Sequence, residues 1–223
     1  LAKSFGIEVK RLPIRQDLSW QWDLDELKSL VTANTKMIAI CNPNNPTGAI
    51  MSEEVMNGVI EIAQELDCWI LSDEVYRGAE LDGNECRSFA GATKKTIVNA
   101  GLSKAYSLPG LRLGWSIGSK EYIEKAWSFH DFTVINVAYL SDWVASKILS
   151  YERRRKILDR TKEHLNHNLD MLCDWAEDVP QLTLSRPEAA AITFAKINLP
   201  ISSEDFVFDL RDNFSVLLTA GKW

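Results

Sequence analysis

Hydrophobic positions fall first into short unbroken runs and later into a helical stripe, and this change of period organises the chain. Met37-Ile38-Ala39-Ile40-Cys41 is too short for a helix and is closed by an Asn/Pro/Gly cluster, which predicts a buried strand. Ser52 then stands as an N-cap, with Glu53 and Glu54 where negative charge suits the helix dipole. Val55, Val59, Ile62, Ala63 and Leu66 recur at helical spacing behind it. Cys68-Trp69-Ile70-Leu71-Ser72 predicts a second strand, and Thr96-Ile97-Val98-Asn99-Ala100, followed by Gly101, a third. Leu111 to Ile117 reads as a fourth, and Gly6-Ile7-Glu8-Val9 as part of another. The rhythm implies βαβ units in an α/β fold, with a mostly parallel sheet covered on both faces. Ligands of such sheets gather at the carboxyl ends of the strands, so the polar clusters after the first three runs are where chemistry is expected.

After about Val134 the pattern changes. Leu158, Leu165, Leu169, Leu172 and Trp175 mark one face of a long helix broken before Pro180. Arg153, Arg154 and Arg155 precede that face and read as solvated surface. Two further apolar runs, Ala189 to Ile197 and Ser215 to Thr219, flank a helical stretch from Ser203 to about Asn213. A large domain over 1–165, ending in the long helix, and part of a smaller α+β domain over 166–223 are expected.

Composition narrows the class. Of 223 residues, 46% are hydrophobic and 25% charged, the mixture of a globular protein rather than a disordered one. A net charge of −6, spread along the chain, argues against a nucleic-acid or anionic-membrane surface. No apolar run reaches the length of a membrane-spanning helix, and Leu1 to Phe5 lack a signal pattern. Cys41, Cys68, Cys86 and Cys173 are widely spaced without a Cys-x-x-Cys pair, which reads as reduced thiols in a cytoplasmic protein rather than a disulfide framework or zinc site. The missing initiator Met, and an end at Gly221-Lys222-Trp223 just after an apolar run, lead us to expect a fragment cut at both ends.

Three clusters carry candidate chemistry. Asn42-Pro43-Asn44-Asn45-Pro46-Thr47-Gly48 is by itself a turn. Ser72-Asp73-Glu74-Val75-Tyr76 is by itself an acidic helix cap. Ser103-Lys104-Ala105-Tyr106, running on to Arg112-Leu113-Gly114-Trp115, contains a lysine that alone reads as a surface charge. Their joint occurrence in this order resembles the fold-type I aminotransferases of classes I and II, over nearly the whole chain.

The resemblance implies the three-layer large domain of pyridoxal-phosphate-dependent transferases, and pyridoxal 5'-phosphate as cofactor. Lys104 would form a Schiff base with the cofactor aldehyde and move protons at the substrate carbon. Asp73 would keep the pyridine nitrogen protonated, so that the ring acts as an electron sink. Asn45 and Tyr76 would donate to the ring oxygen, while Arg112 and Ser103 would hold the phosphate. Many relatives carry a hydroxyl residue where this chain has Gly101, so one phosphate contact is lost or supplied by backbone. The Asn45–Pro46 bond is expected to be cis, again by resemblance.

Smaller signals add little. His164 and His167 share a helix face but lack further ligands, so helix polarity is preferred to a metal pair. His130 to Thr133 read as a loop, although Thr133 would approach a partner subunit's phosphate if the resemblance extends there. Trp20 and Trp22 are expected to pack or cover an edge, and Tyr106 to line the pocket. Amino acids and 2-oxo acids are the implied substrates and a homodimer the implied assembly, with the 223 residues alone inactive. A lyase or cyclase on the same scaffold, or the effector domain of a transcription regulator, stay open as alternatives. Tyr76 leans towards transamination.

Overall fold

The structure, a computed structural model, describes residues 2–221; Leu1, Lys222 and Trp223, on which the readings of both chain ends rest, lie outside the described residues. Four strands form the main sheet in the order β1 (Met37–Cys41), β2 (Trp69–Asp73), β3 (Thr96–Gly101), β4 (Gly114–Ile117). The first three are parallel and β4 runs antiparallel to β3. This is the mostly parallel α/β class that the apolar runs predict.

Helix α1 (Leu24–Leu30) starts at Asp23, whose carboxylate accepts from the amides of Asp25 and Glu26. Helix α2 (Glu53–Glu65) starts where expected, with Ser52 Oγ accepting from Val55 N at 3.2 Å. Its buried stripe of Val55, Met56, Val59, Ile62 and Ala63 packs on Ile38, Ile40, Ile70 and Val98 from the strands. Each such side chain, removed from water, stabilises the fold by about 1.5–3 kcal/mol. The alternate residues of β1, Met37 and Ala39, face the other way and are exposed.

Between β2 and β3 the expected crossover helix is absent. Residues 74–95 cross as loop, organised by two buried carboxylates that take up backbone amides. Glu74 Oε1 accepts from Ser72 Oγ and Phe89 N at 3.1 and 2.8 Å, so Glu74 anchors a loop rather than capping a helix. Glu80 accepts from Gly78 N at 2.7 Å and Cys86 N at 3.0 Å. Buried carboxylates persist only when hydrogen-bonded in this way, and here they replace the ladder a helix would have supplied.

The predicted fourth strand is shorter than Leu111 to Ile117. Pro109–Leu111 form one 3-10 turn and Arg112 takes the left-handed conformation at φ 50°, so extended backbone begins at Gly114. Gly6 to Val9 form no strand; they are exposed and pair with no described strand.

Beyond the sheet come α3 (Lys120–His130), α4 (Tyr139–Ile148) and the 27-residue α5 (Tyr151–Glu177). Arg153 to Arg155 lie in the first turns of α5, ahead of its apolar face. A two-stranded antiparallel sheet of β5 (Leu182–Leu184) and β6 (Ala195–Ile197) follows, then α6 (Ser203–Phe214). The apolar run Ser215 to Thr219 has no regular structure. A second core of Ala79, Leu102, Ala105, Tyr106, Ala145 and Leu158 lies where α4 and α5 meet the loops after β2 and β3. Among the described residues no helix is long and apolar enough to cross a membrane.

Candidate active site

Strand register sets the first group. Cys41, Asp73, Asn99 and Ser116 are successive partners across all four strands, so their side chains share one row on the face opposite α2. Asp73 is the last residue of β2 and exposed, because the alternation that buries Ile70 and Ser72 turns it the other way. Its Oδ1 accepts from Val75 N at 3.1 Å, and among the described residues no cation pairs with it. The Cys41 thiol has its pKa raised chiefly by burial, with a smaller contribution from the Asp73 carboxylate nearby.

The loops after β1, β2 and β3 bring three of the other predicted residues to this edge. Asn45 lies in the turn after β1, where Asn42–Pro43 and Asn45–Pro46 are both cis; only the second had been anticipated. Tyr76 lies in the turn after β2 and is buried. Asn45 Nδ2 donates to the Tyr76 hydroxyl at 3.4 Å. Lys104 Nζ stands 5.8 Å from the centroid of the Tyr76 ring, and among the described residues makes no salt bridge. The turn that presents it is tied back by Ala105 N to Val75 O at 3.3 Å and Ser107 N to Lys104 O at 2.9 Å.

Ser103 and Arg112 are placed by the β3–β4 hairpin. Gly101 pairs with Gly114, and Leu102 N donates to Leu113 O at 3.0 Å. The ladder goes no further, since Leu102 O accepts from Leu108 N at 2.9 Å, and Ser103 and Arg112 stand near the two ends of the loop beyond it. The pairing depends on glycine at both positions: a Cβ on Gly101 would lie 3.1 Å from Leu113 O, and one on Gly114 2.9 Å from Ala100 O. The absent hydroxyl at 101 therefore has a packing reason. Arg112 is exposed, and Nη1 donates to Pro109 O at 3.0 Å within its own turn; among the described residues no carboxylate pairs with it.

Asn45, Tyr76, Ser103 and Lys104 line one open cleft of about 1620 Å³. Asp73 and Arg112 are not among its lining residues: Asp73 stands one strand over in the row with Cys41, and Arg112 caps the 3-10 turn just before β4. The opposite wall comes from Ala191 to Ile197 and from Phe206, Val207 and Leu218. None of these was picked out from the sequence, because an apolar residue facing a cleft has the same spacing as one facing a core. Trp20 does pack, its ring edge-on to Phe194 at 5.9 Å, and it lines the cleft as well. Tyr106 does not line it. Its hydroxyl accepts from Arg154 Nε at 3.0 Å on the far side of the Lys104 turn, so Arg154 is not merely solvated surface either.

Among the described residues, the Lys104 amine in the cleft pairs with no carboxylate, and Asp73 and Arg112, which lie outside its lining, pair with no cation and no acid respectively. That donor set suits a group carrying a carbonyl, a protonated ring nitrogen and a phosphate.

The family described as Aminotransferase class I and II matches residues 1–223, and the chain belongs to it. The sequence is 28% identical over 222 residues to the aspartate aminotransferase of Pyrococcus horikoshii, covering 99% of this chain and 57% of that protein. It is 31% identical over 222 residues to the glutamate-pyruvate aminotransferase AlaA of Haemophilus influenzae, covering 93% of this chain and 54% of the relative. A PLP-dependent aminotransferase from Streptococcus suis superposes with a TM-score of 0.90 at 36% identity, over 99% of this chain and 58% of that one. The chain thus spans little more than half the length of the curated relatives it matches. Pyridoxal 5'-phosphate is the cofactor of the family.

Proposed function

We propose that the protein carrying this chain is a pyridoxal-phosphate-dependent aminotransferase that moves an amino group between an amino acid and a 2-oxo acid. The observation that carries the reading is the Lys104 amine beside the Asn45–Tyr76 pair, with Asp73 at the adjoining strand end, neither of them in a salt bridge among the described residues. When bound, the cofactor supplies a carbonyl to link to amines and a ring that accepts the electron pair released at the substrate carbon.

The chain's own residues divide the remaining work. Lys104 would hold the cofactor covalently and move a proton to and from the substrate carbon. Asp73 would keep a proton on the ring nitrogen by offering it a fixed negative charge. Asn45 and Tyr76 would donate to the ring oxygen. Arg112 offers a planar fork to the phosphate and Ser103 a hydroxyl, while Gly101 contributes no side chain. The division into a cofactor domain over 1–165 and a smaller domain over 166–223 belongs to the same proposal, as do a homodimeric assembly, a cytoplasmic location, and the inactivity of these residues alone.

The test uses the full-length protein. Loading with pyridoxal phosphate, borohydride reduction and peptide mass mapping should place the label on Lys104. In a separate, unreduced sample, amino acids should convert the bound cofactor to its aminated form with release of the 2-oxo acid. Ammonia release instead of a 2-oxo acid would point to a lyase, and an unlabelled Lys104 would end the proposal.

A further inference from the structure

Tyr106 follows Lys104 closely in sequence but is buried behind the turn, at 5% exposure. Its ring meets Trp115 edge-on at 6.2 Å, and its hydroxyl takes the hydrogen bond from Arg154 Nε on α5. The same guanidinium forks onto Glu85, Nη1 to Oε1 at 2.5 Å and Nη2 to Oε2 at 2.8 Å. Glu85 also faces Arg77 at 3.4 Å, and Arg77 directly follows Tyr76. Arg77 is pinned in turn, its Nε donating to Cys86 O at 2.8 Å. An unbroken line of side chains therefore joins the turn bearing Lys104 to the turn bearing Tyr76.

Two features separate this line from an ordinary surface ion pair. The Arg154 and Glu85 side chains are only 28% and 31% exposed, and the fork fixes orientation as well as distance. The hydrogen bond between them is also the main reason that the Glu85 carboxyl is held below, and Arg154 above, its ordinary value. None of the four residues lines the cleft. Helix α5 adds parallel ties, Thr161 Oγ1 to Ser107 Oγ at 3.4 Å and Asn166 Nδ2 to Leu81 O at 2.9 Å.

We propose that Arg77, Glu85, Arg154 and Tyr106 form a positioning network that sets the Lys104 amine against the Tyr76 ring, so that turnover depends on side chains that never enter the cleft. The proposal rests on the reading that Lys104 carries the cofactor. A displacement of the amine by well under an ångström is felt in rate, because reacting groups must be held in a near-attack geometry.

The experiment compares the full-length, cofactor-loaded protein with Tyr106→Phe, Arg154→Met, Arg154→Lys and the double variant Tyr106→Phe/Arg154→Met. Borohydride mapping of the unaltered protein comes first; label anywhere but on Lys104 defeats the underlying reading, and the network with it. With Lys104 labelled, three readouts decide. The pH midpoint of the bound cofactor's visible absorbance should move by roughly half a unit or more in Tyr106→Phe and Arg154→Met. Their kcat should fall about tenfold with KM little changed, Arg154→Lys lying between them and the unaltered protein. The double variant should be no worse than the poorer single one, since both cut the same line. Lower melting temperatures with an unmoved midpoint and unchanged kcat would overturn the proposal. If Arg154→Met does not fold, Tyr106→Phe, which loses one hydroxyl, decides alone on the same two readouts.

Discussion

At the scale of single residues, the reading stands on groups whose ordinary partners are missing. Lys104 makes no salt bridge among the described residues, so Lys104→Ala should leave the melting temperature of the cofactor-free full-length protein nearly unchanged. Turnover should fall by at least ~10³-fold and the visible absorbance of the covalently held cofactor should vanish. Spectra and kinetics on the same preparation check this, and a variant with the absorbance intact would mean that another amine holds the cofactor. Asp73→Asn keeps the shape of an exposed side chain and removes its charge. It should therefore cost on the order of 10²-fold in kcat with little effect on stability. In the sequence these two residues stand out only through the joint order of three clusters, each of which reads as ordinary on its own. The row that Asp73 occupies was not legible: Cys41, Asp73, Asn99 and Ser116 come from strands far apart in the chain, and only register brings them into line.

At the scale of elements, α5 helps to hold the turns that carry Lys104 and Tyr76. Leu158 lies in the core with Ala79 and Ala105, and it is the side chain against which a Cβ on Gly78 would press, at 3.1 Å. Leu158→Ala should cost about 2–4 kcal/mol, read from urea unfolding of the full-length protein, since the long helix cannot collapse into the space left. The Glu85–Arg154 pair adds a pH signature. Hydrogen bonding to Arg154 lowers the folded-state pKa of Glu85 from its ordinary 4.5, so its stabilising contribution is present above that value and is lost as pH falls through the folded one. Glu85→Gln should therefore melt lower than the unaltered protein at pH 7, and the two curves should converge on acidification as the pH falls through the lowered folded-state value. A gap that stayed constant on acidification would show that the pair's charge contributes nothing. Long-range pairing of this kind explains why Arg154 read as one of three solvated arginines. The helix period marked an apolar stripe that is buried at Leu158 and Leu169 and runs out at exposed Trp175, and it says nothing of a carboxylate that arrives from a loop. For the same reason β1, β2, β3 and α2 were readable from local runs, whereas the loop that replaces a crossover helix depends on two buried carboxylates whose burial is invisible in sequence.

At the scale of the whole molecule, the approach to β6 is fastened directly onto the turns that carry Asn45 and Tyr76. Gly48 O accepts from Glu188 N at 3.0 Å and Ala189 N at 2.9 Å, Leu81 N donates to Glu188 O at 2.9 Å, and Ala190 N donates to Ala79 O at 3.1 Å. Gly48 is the keystone of this junction on two counts. Its φ of 69° suits glycine, and a Cβ there would lie 2.4 Å from Pro187 Cβ and 2.6 Å from Ala189 O. Gly91 separates those causes, because it has a similar φ of 77° with nothing within 4 Å of its missing Cβ. Gly91→Ala should cost only the left-handed strain of about 1–2 kcal/mol. Gly48→Ala should cost clearly more, by roughly 1–3 kcal/mol of overpacking, because the carbonyl it meets is backbone and cannot swing away. Replacing Pro187 by Gly in the Gly48→Ala background removes one of the two clashing atoms and should recover part of that excess. Urea unfolding of the full-length variants measures all three. Limited proteolysis should find the 185–194 segment cut faster in Gly48→Ala than in Gly91→Ala. Equal costs for the two glycine substitutions would mean that the junction yields freely, and that the cleft wall is not held in place by the Asn45 turn.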